Sequence, residues 1–214
     1  MRITALQQQA TNADRVNIFV DERFLMGAGA LIIMQLGLRV GQELSEAQLA
    51  QLRSDEELQQ AVDRALNYLS FRPRSQREVR DYLKRKNTPP EVIDAALARL
   101  QRLDLVNDRN FASFWLETRE QFSPKGARAL KNELRIKGVE REIVDEIIDD
   151  EQDEERAQRA AEKKAFSLLR QPGIDYATFQ RRLGSFLQRR GFGYDVTSRT
   201  VKQLWEKHKQ EEEE

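Results

Sequence analysis

Residues able to do covalent or metal chemistry are scarce in this chain of 214 residues. There is no cysteine, which removes thiolate ligands, cysteine nucleophiles and disulfides. The one histidine, His208, stands beside a run of charged residues, where a solvated side chain is expected rather than a base or ligand. Ser75 and Ser123 precede helical patterns, so helix capping accounts for both hydroxyls. Carboxylates crowd Asp149, Asp150, Glu151, Asp153, Glu154 and Glu155, but without the glycine and alternation of a calcium loop. That stretch reads as a solvated helix end or linker, not a metal site. Gly27-Ala28-Gly29 lacks both the third glycine of a dinucleotide loop and the Gly-Lys-Ser/Thr ending of a phosphate loop. Neither catalysis, a cofactor nor a metal is expected.

Arginine and lysine are the better candidates. Arg74, Arg77, Arg80, Lys84 and Arg85 cluster on and before one helical pattern. Arg128, Lys131, Arg135 and Lys137 occupy a second, and Arg181, Arg182, Arg189 and Arg190 a third. A guanidinium fork can pair with phosphate or carboxylate through two hydrogen bonds, and for each of these residues solvated surface is the bland alternative. The formal net charge is zero, but the zero conceals blocks. Residues 72–137 hold 16 Lys/Arg against 9 Asp/Glu, residues 138–155 hold 1 against 10, and residues 156–194 hold 9 against 2. Such one-sided blocks favour a polyanionic partner. The contact candidates are Arg74, Arg77, Lys84, Arg128, Lys131, Arg135, Lys137, Arg181, Arg182, Arg189 and Arg190.

These residues need elements to hold them. Charged residues make up 34% and hydrophobic residues 39%, which suits a helical protein with modest cores. Val16, Ile18 and Val20 alternate with Asn17 and Phe19, Asp21-Glu22 reads as a turn, and Phe24 and Met26 continue the period. Ile3 to Leu6 adds a further strand, and the β element is expected to end before residue 28. The apolar run Phe24 to Leu38 is too short for a membrane span and reads as a strand end followed by a core helix over Gly29 to Leu36. Ser45 with Gln48 caps a short helix to Leu52, and Ser54 with Glu57 caps a separate one. Ser75 with Glu78, and Thr88 with Glu91, open the next two. Asp108 opens another, Ser123-Pro124 the one after it. Trp115 and Trp205 sit at helical spacing among apolar residues and are read as core.

The pattern repeats. A shift of 51 carries Val79, Leu83, Lys86, Asn87, Val92 and Ile93 onto Leu130, Leu134, Lys137, Gly138, Ile143 and Val144. A further shift of 53 carries Leu130, Leu134, Lys137, Gly138 and Ile143 onto Leu183, Leu187, Arg190, Gly191 and Val196. The third copy opens with a helix bearing Ala165, Phe166, Leu168 and Leu169. Such a period marks tandem modules that share a core with their neighbours. The expected fold is mainly α: tandem three-helix repeats in an elongated array, with a small β-hairpin-bearing N-terminal segment. The expected divisions are 1–53 for that segment, 54–106, 107–155 and 156–210 for the three repeats, and 211–214 for a disordered acidic tail.

At this point the residues carry a family resemblance. Arg72-Pro73-Arg74-Ser75 with Glu78-Val79, Leu83 and Lys86 resembles the first repeat of RecX proteins. Leu105-Val106-Asn107-Asp108 with Phe111-Ala112 resembles the repeat junction. Lys125-Gly126, Leu130, Glu133-Leu134 and Lys137-Gly138 resemble the second repeat. The similarity covers about residues 58–210 and departs at Asn87, where the pattern has glycine. The resemblance implies a non-enzymatic regulator that lies along the groove of the RecA–DNA filament. It implies inhibition of RecA ATP hydrolysis, strand exchange and co-protease action, with a role in recombination, DNA repair and the SOS response. Some members also touch single- or double-stranded DNA. A cytoplasmic monomer with no membrane contact is expected. The rival reading is a general nucleic-acid-binding helical protein using the basic faces.

Overall fold

The computed structural model describes residues 1–213, with side chains through residue 210. The tail expected over 211–214 lies outside those described side chains. The fold is mainly helical with one small antiparallel sheet, and it divides into two compact units. The first holds residues 1–72 and 79–105, the second residues 73–78 and 106 onward.

In the first unit, β1 (Ile3–Gln9), β2 (Asn12–Val20) and β3 (Arg23–Gly29) pair in the order β1-β2-β3. Asp21 and Glu22 both adopt positive φ, 46° and 65°, as a two-residue hairpin turn demands. The sheet runs slightly past its expected end, through Gly29, so Gly27-Ala28-Gly29 is strand and no phosphate loop. One face of the sheet buries Ile3, Ile18, Val20 and Ala28 against Ile32 and Ile33 of α1 (Ala30–Gln35) and Leu52 of α2 (Glu46–Leu69). Gly37 and Gly41, at φ 61° and 88°, turn the chain out of α1.

The two short helices expected on either side of Ser54 are one: α2 spans Glu46–Leu69. Ser45 and Gln48 form the expected capping box, with bonds of 3.2 and 3.0 Å. Ser54 lies inside the helix and caps nothing, because Leu52, Glu56, Ala61, Val62 and Ala65 form one buried stripe straight past it. The expected division at 53/54 therefore falls within a single helix. Glu56 is almost fully buried and ties α2 to the sheet. Its carboxylate accepts from Arg15 Nη2 at 2.6 Å, from the Gly29 amide at 2.8 Å and from Gln60 Nε2 at 2.8 Å. A buried carboxylate is tolerable only with such partners.

Two more helices follow, α3 (Gln76–Arg85) and α4 (Pro90–Arg102). Thr88 does not cap α4. Pro89 occupies the cap position with Pro90 at the first helical residue, and the buried Thr88 hydroxyl has no hydrogen-bond partner. The second unit holds α5 (Asp108–Phe122), α6 (Ala127–Ile136), α7 (Arg141–Ile147), a 3-10 turn over Asp150–Gln152, α8 (Asp153–Leu169), α9 (Tyr176–Arg189) and α10 (Tyr194–Glu213). Ser123 follows the end of α5 rather than opening α6, whose cap residue is Gly126. Phe111, Leu130, Leu134, Val144 and Ile148 form one core of this unit, with Trp115 half-buried against it. Ala161, Leu168, Phe179, Leu183, Leu187 and Val201 form the other, with Trp205 against it. Phe166 of the third repeat's first helix faces solvent, because Ala157, Ala161, Ala165 and Leu168 already fill the buried stripe of α8.

The second helix of each repeat ends in the same way. The amides of Thr88, Val139 and Phe192 each reach back five residues, to the carbonyls of Leu83, Leu134 and Leu187. The residue between helix and amide is left-handed each time: Asn87 at φ 57°, Gly138 at 83° and Gly191 at 88°. Among the described residues, no helix is long and apolar enough to cross a membrane.

Candidate basic interaction site

Two of the eleven basic candidates turn out to be structural joints. Within the second unit, the Ser75 hydroxyl donates to the Lys137 carbonyl at 2.6 Å while accepting from the Glu78 amide at 3.1 Å. Lys137 Nζ pairs with Glu78 at 2.7 Å. One repeat later, Gly126 stands where Ser75 stood, and its amide donates to the Arg190 carbonyl at 3.0 Å. The Arg190 guanidinium reaches the Pro124 carbonyl at 3.0 Å. The same end of the second helix is capped by a carboxylate from further along the chain in both cases. Asp108 accepts from the Gln76 amide and Asp153 from the Ala127 amide, each at 2.8 Å. Burial raises both carboxyls, against the lowering effect of those amide bonds, and Glu140 and Glu78 raise Asp108 further.

Glu133 is a hub that the sequence showed only as a motif letter. Its carboxylate accepts from Trp115 Nε1 at 2.8 Å and Arg119 Nε at 2.9 Å, and pairs with Lys125. Lys137 Nζ and the Arg119 guanidinium both lie over the Trp115 ring, at 4.3 and 4.5 Å. Burial raises the Glu133 carboxyl, but the bonds from Lys125, Trp115 and Arg119 outweigh it and hold the group below its usual range. The resembling residues Lys125, Glu133, Lys137 and Gly138 thus take part in holding the repeat together.

The acidic stretch is partly structural too. Lys131 pairs with Asp150 at 3.0 Å and Asp145 at 3.6 Å, and Arg135 approaches Asp145 at 3.9 Å. Arg156, fully buried, binds Glu120 at 3.1 Å and the Asp149 carbonyl at 2.7 Å. The opposite charge blocks therefore neutralise one another locally. Among the described residues, no group of three histidine, cysteine, aspartate or glutamate side chains could hold a metal.

What remains exposed is a smaller set. Arg77, Lys84, Arg128, Arg135, Arg181, Arg182 and Arg189 face solvent, whereas Arg74 is half-buried. Arg182 bonds Gln171 at 2.7 Å. Arg77, Arg128 and Arg181 occupy the same position in three successive repeats, in the first turns of α3 and α6 and in the second turn of α9, which starts earlier. Arg128 and Arg189 have no ion-pair partner among the described residues. With Arg135, Asn132 and Gln188 they line an open cleft of about 800 Å³ beside the α9–α10 turn. Asp150 and Asp153 line the same cleft, so it presents cations and carboxylates together.

Four family models match the chain in order. The regulatory protein RecX N-terminal domain matches residues 1–45, and the first, second and third three-helix domains of RecX match 61–100, 107–148 and 150–201. Regulatory protein RecX of Bacillus subtilis (strain 168) is 30% identical over 202 residues, 94% of this chain and 76% of that protein. Regulatory protein RecX of Listeria welshimeri is 30% identical over 196 residues, covering 92% and 73%. A crystal structure of regulatory protein RecX superposes with a TM-score of 0.73 at 25% identity, covering 92% of this chain and 97% of that one. RecX from Lactobacillus salivarius gives 0.61 at 28% identity over 70% of this chain. With all four domains present in order, over the same sheet and the same three-helix repeats, this chain belongs to the RecX family of regulatory proteins.

Proposed function

We propose that this chain binds the RecA–DNA filament and inhibits RecA ATP hydrolysis, strand exchange and co-protease action, without catalysis of its own. The observation that carries this reading is the family match, four models in order from the N-terminal sheet to the third repeat. The exposed arginine at one position in three repeats supports it, because a repeating cation suits a repeating partner. Linked weak contacts along a filament add up to tight binding. A preference for one filament state then shifts the filament toward that state. The cytoplasm is the proposed location, a monomer the proposed form, and DNA a secondary contact.

The test is steady-state ATP hydrolysis by RecA on single-stranded DNA, with and without the protein. Hydrolysis should slow in its presence. The combined variant Arg128→Glu, Arg181→Glu and Arg189→Glu should need roughly tenfold more protein for the same inhibition, at unchanged helicity. Lys131 and Arg135 serve poorly as probes, since both face Asp145. Unchanged hydrolysis and no filament binding by folded protein would refute the reading. Equal affinity for naked and RecA-coated DNA, with a steep loss as salt rises, would instead support the rival nucleic-acid reading.

A further inference from the structure

Two of the most exposed apolar side chains in the molecule occupy one position of the repeat. Phe71 is 83% exposed and Phe122 is 75% exposed. They are 51 residues apart, the same shift that overlays the first two repeats. Phe71 follows the end of α2 and Phe122 ends α5, so each stands where the first helix of its repeat gives way to the second. A proline follows two residues later in both cases, Pro73 and Pro124, and an exposed arginine six residues later, Arg77 and Arg128. Both rings face solvent rather than the buried residues of their repeats. A single exposed apolar residue is ordinary. The same aromatic at the same place in two repeats, solvated both times, is not explained by packing or by the turn, whose geometry Pro73 and Pro124 supply. The third repeat has Asp175 at this place.

We propose that Phe71 and Phe122 are paired anchors, each seating in an apolar pocket with an acidic rim on one subunit of a filament of identical protein subunits. The inference rests on the RecA-filament reading and names the side chains that grip. Buried aromatics commonly dominate interface energies, and arginine beside them supplies directional bonds to carboxylates. A partner with its own period would be met twice by a motif with a period. Protein is favoured over single-stranded nucleic acid for two reasons. Stacking platforms need successive free rings in a continuous basic groove. Here the neighbouring rings of Tyr68 and Tyr82 stack on each other at 4.2 Å, and basic neighbours are drawn to carboxylates, as Arg80 is to Asp94 at 2.6 Å.

The experiment compares Phe71→Ala, Phe122→Ala and the double variant with the parent chain, by direct binding to RecA filaments on single-stranded DNA. Each single change should weaken binding about tenfold, and the double change by close to the product of the two. Melting temperature and helicity should stay as in the parent, and Phe71→Trp with Phe122→Trp should retain binding. Parental filament affinity in the double alanine variant overturns the inference while leaving the RecA reading intact. Loss of affinity for naked single-stranded DNA, with filament affinity kept, also overturns it and reassigns the rings to base stacking. A parent chain that does not bind filaments removes both readings together.

Discussion

Asn87, Gly138 and Gly191 share a left-handed backbone, yet only the last two have to be glycine. A Cβ on Gly138 would lie 2.6 Å from the Cβ of Arg77, and one on Gly191 would lie 3.0 Å from the Ala129 amide nitrogen. Asn87 is exposed and carries its Cβ without conflict. Gly138→Asn and Gly191→Asn should each destabilise the fold by about 1–3 kcal/mol through overpacking, although asparagine accepts the backbone angle. Asn87→Gly should change thermal stability by less than about 0.5 kcal/mol. Equal effects at all three positions in thermal melts would show that backbone angle, not close approach, selects glycine. The sequence revealed the left-handed turn through Gly and Asn at matched places. It could not reveal the close approach, which depends on a residue some sixty positions away. Glu133 offers a second prediction at this scale. Its folded pKa lies below the ordinary glutamate value, so its stabilisation is present above about pH 4.3 and is lost as pH falls through the folded pKa. Glu133→Gln should therefore lower stability by about 2 kcal/mol at pH 7, and the gap to the parent should close at lower pH. A gap that stays constant from pH 7 to pH 3 would contradict the ionic account. Asp108 and Asp153 run the other way: with raised carboxyls, they favour the fold most below the unfolded pKa, and that contribution is lost as pH rises through the folded pKa.

At the scale of elements, capping signals were the least dependable part of the sequence. Ser45-Gln48 and Ser75-Glu78 form the boxes they spell. Ser54-Glu57 spells one inside a helix, Thr88-Glu91 is displaced by prolines, and Ser123 closes a helix instead of opening one. A cap motif is satisfied only where the apolar stripe actually stops, and across Ser54 it does not. The real caps at Gln76 and Ala127 come from Asp108 and Asp153, too far along the chain for a local motif to show. The continuity of α2 has an energetic corollary. Its buried Glu56 holds the Gly29 amide where β3 passes into α1. Glu56→Ala should destabilise the first unit by about 3 kcal/mol, since it strands buried donors. Hydrogen exchange should locate the damage: the Gly29 amide should lose protection first. Unaltered protection at Gly29 would mean that the Glu56 carboxylate is not what secures it.

Over the whole molecule, the repeats were legible because a 3.6-residue apolar stripe and a terminal Gly or Asn recur at a fixed period, and buried leucines obey both. The basic faces were legible only in part. Of the eleven candidates, Lys137 and Arg190 serve the joints, and Lys131 and Arg135 answer the acidic block, so charge counted along the chain overstated the charge offered to a partner. Segregation in sequence became complementarity in space. That is why Arg128, Arg181 and Arg189 carry the mutational test of partner binding.

The joint at Gly126 also writes a punctuation rule. The α6 repeat both receives and gives: its amide at Gly126 takes the Arg190 carbonyl, and its own Lys137 carbonyl is taken by Ser75. In the last repeat the matching position is Phe179, whose side chain is fully buried and whose amide is already committed to the Asp175 carbonyl within α9. No donor is left there for another carbonyl to meet. The middle repeat thus carries both halves of the joint, while in the third the matching amide is taken up because α9 begins three residues before Phe179.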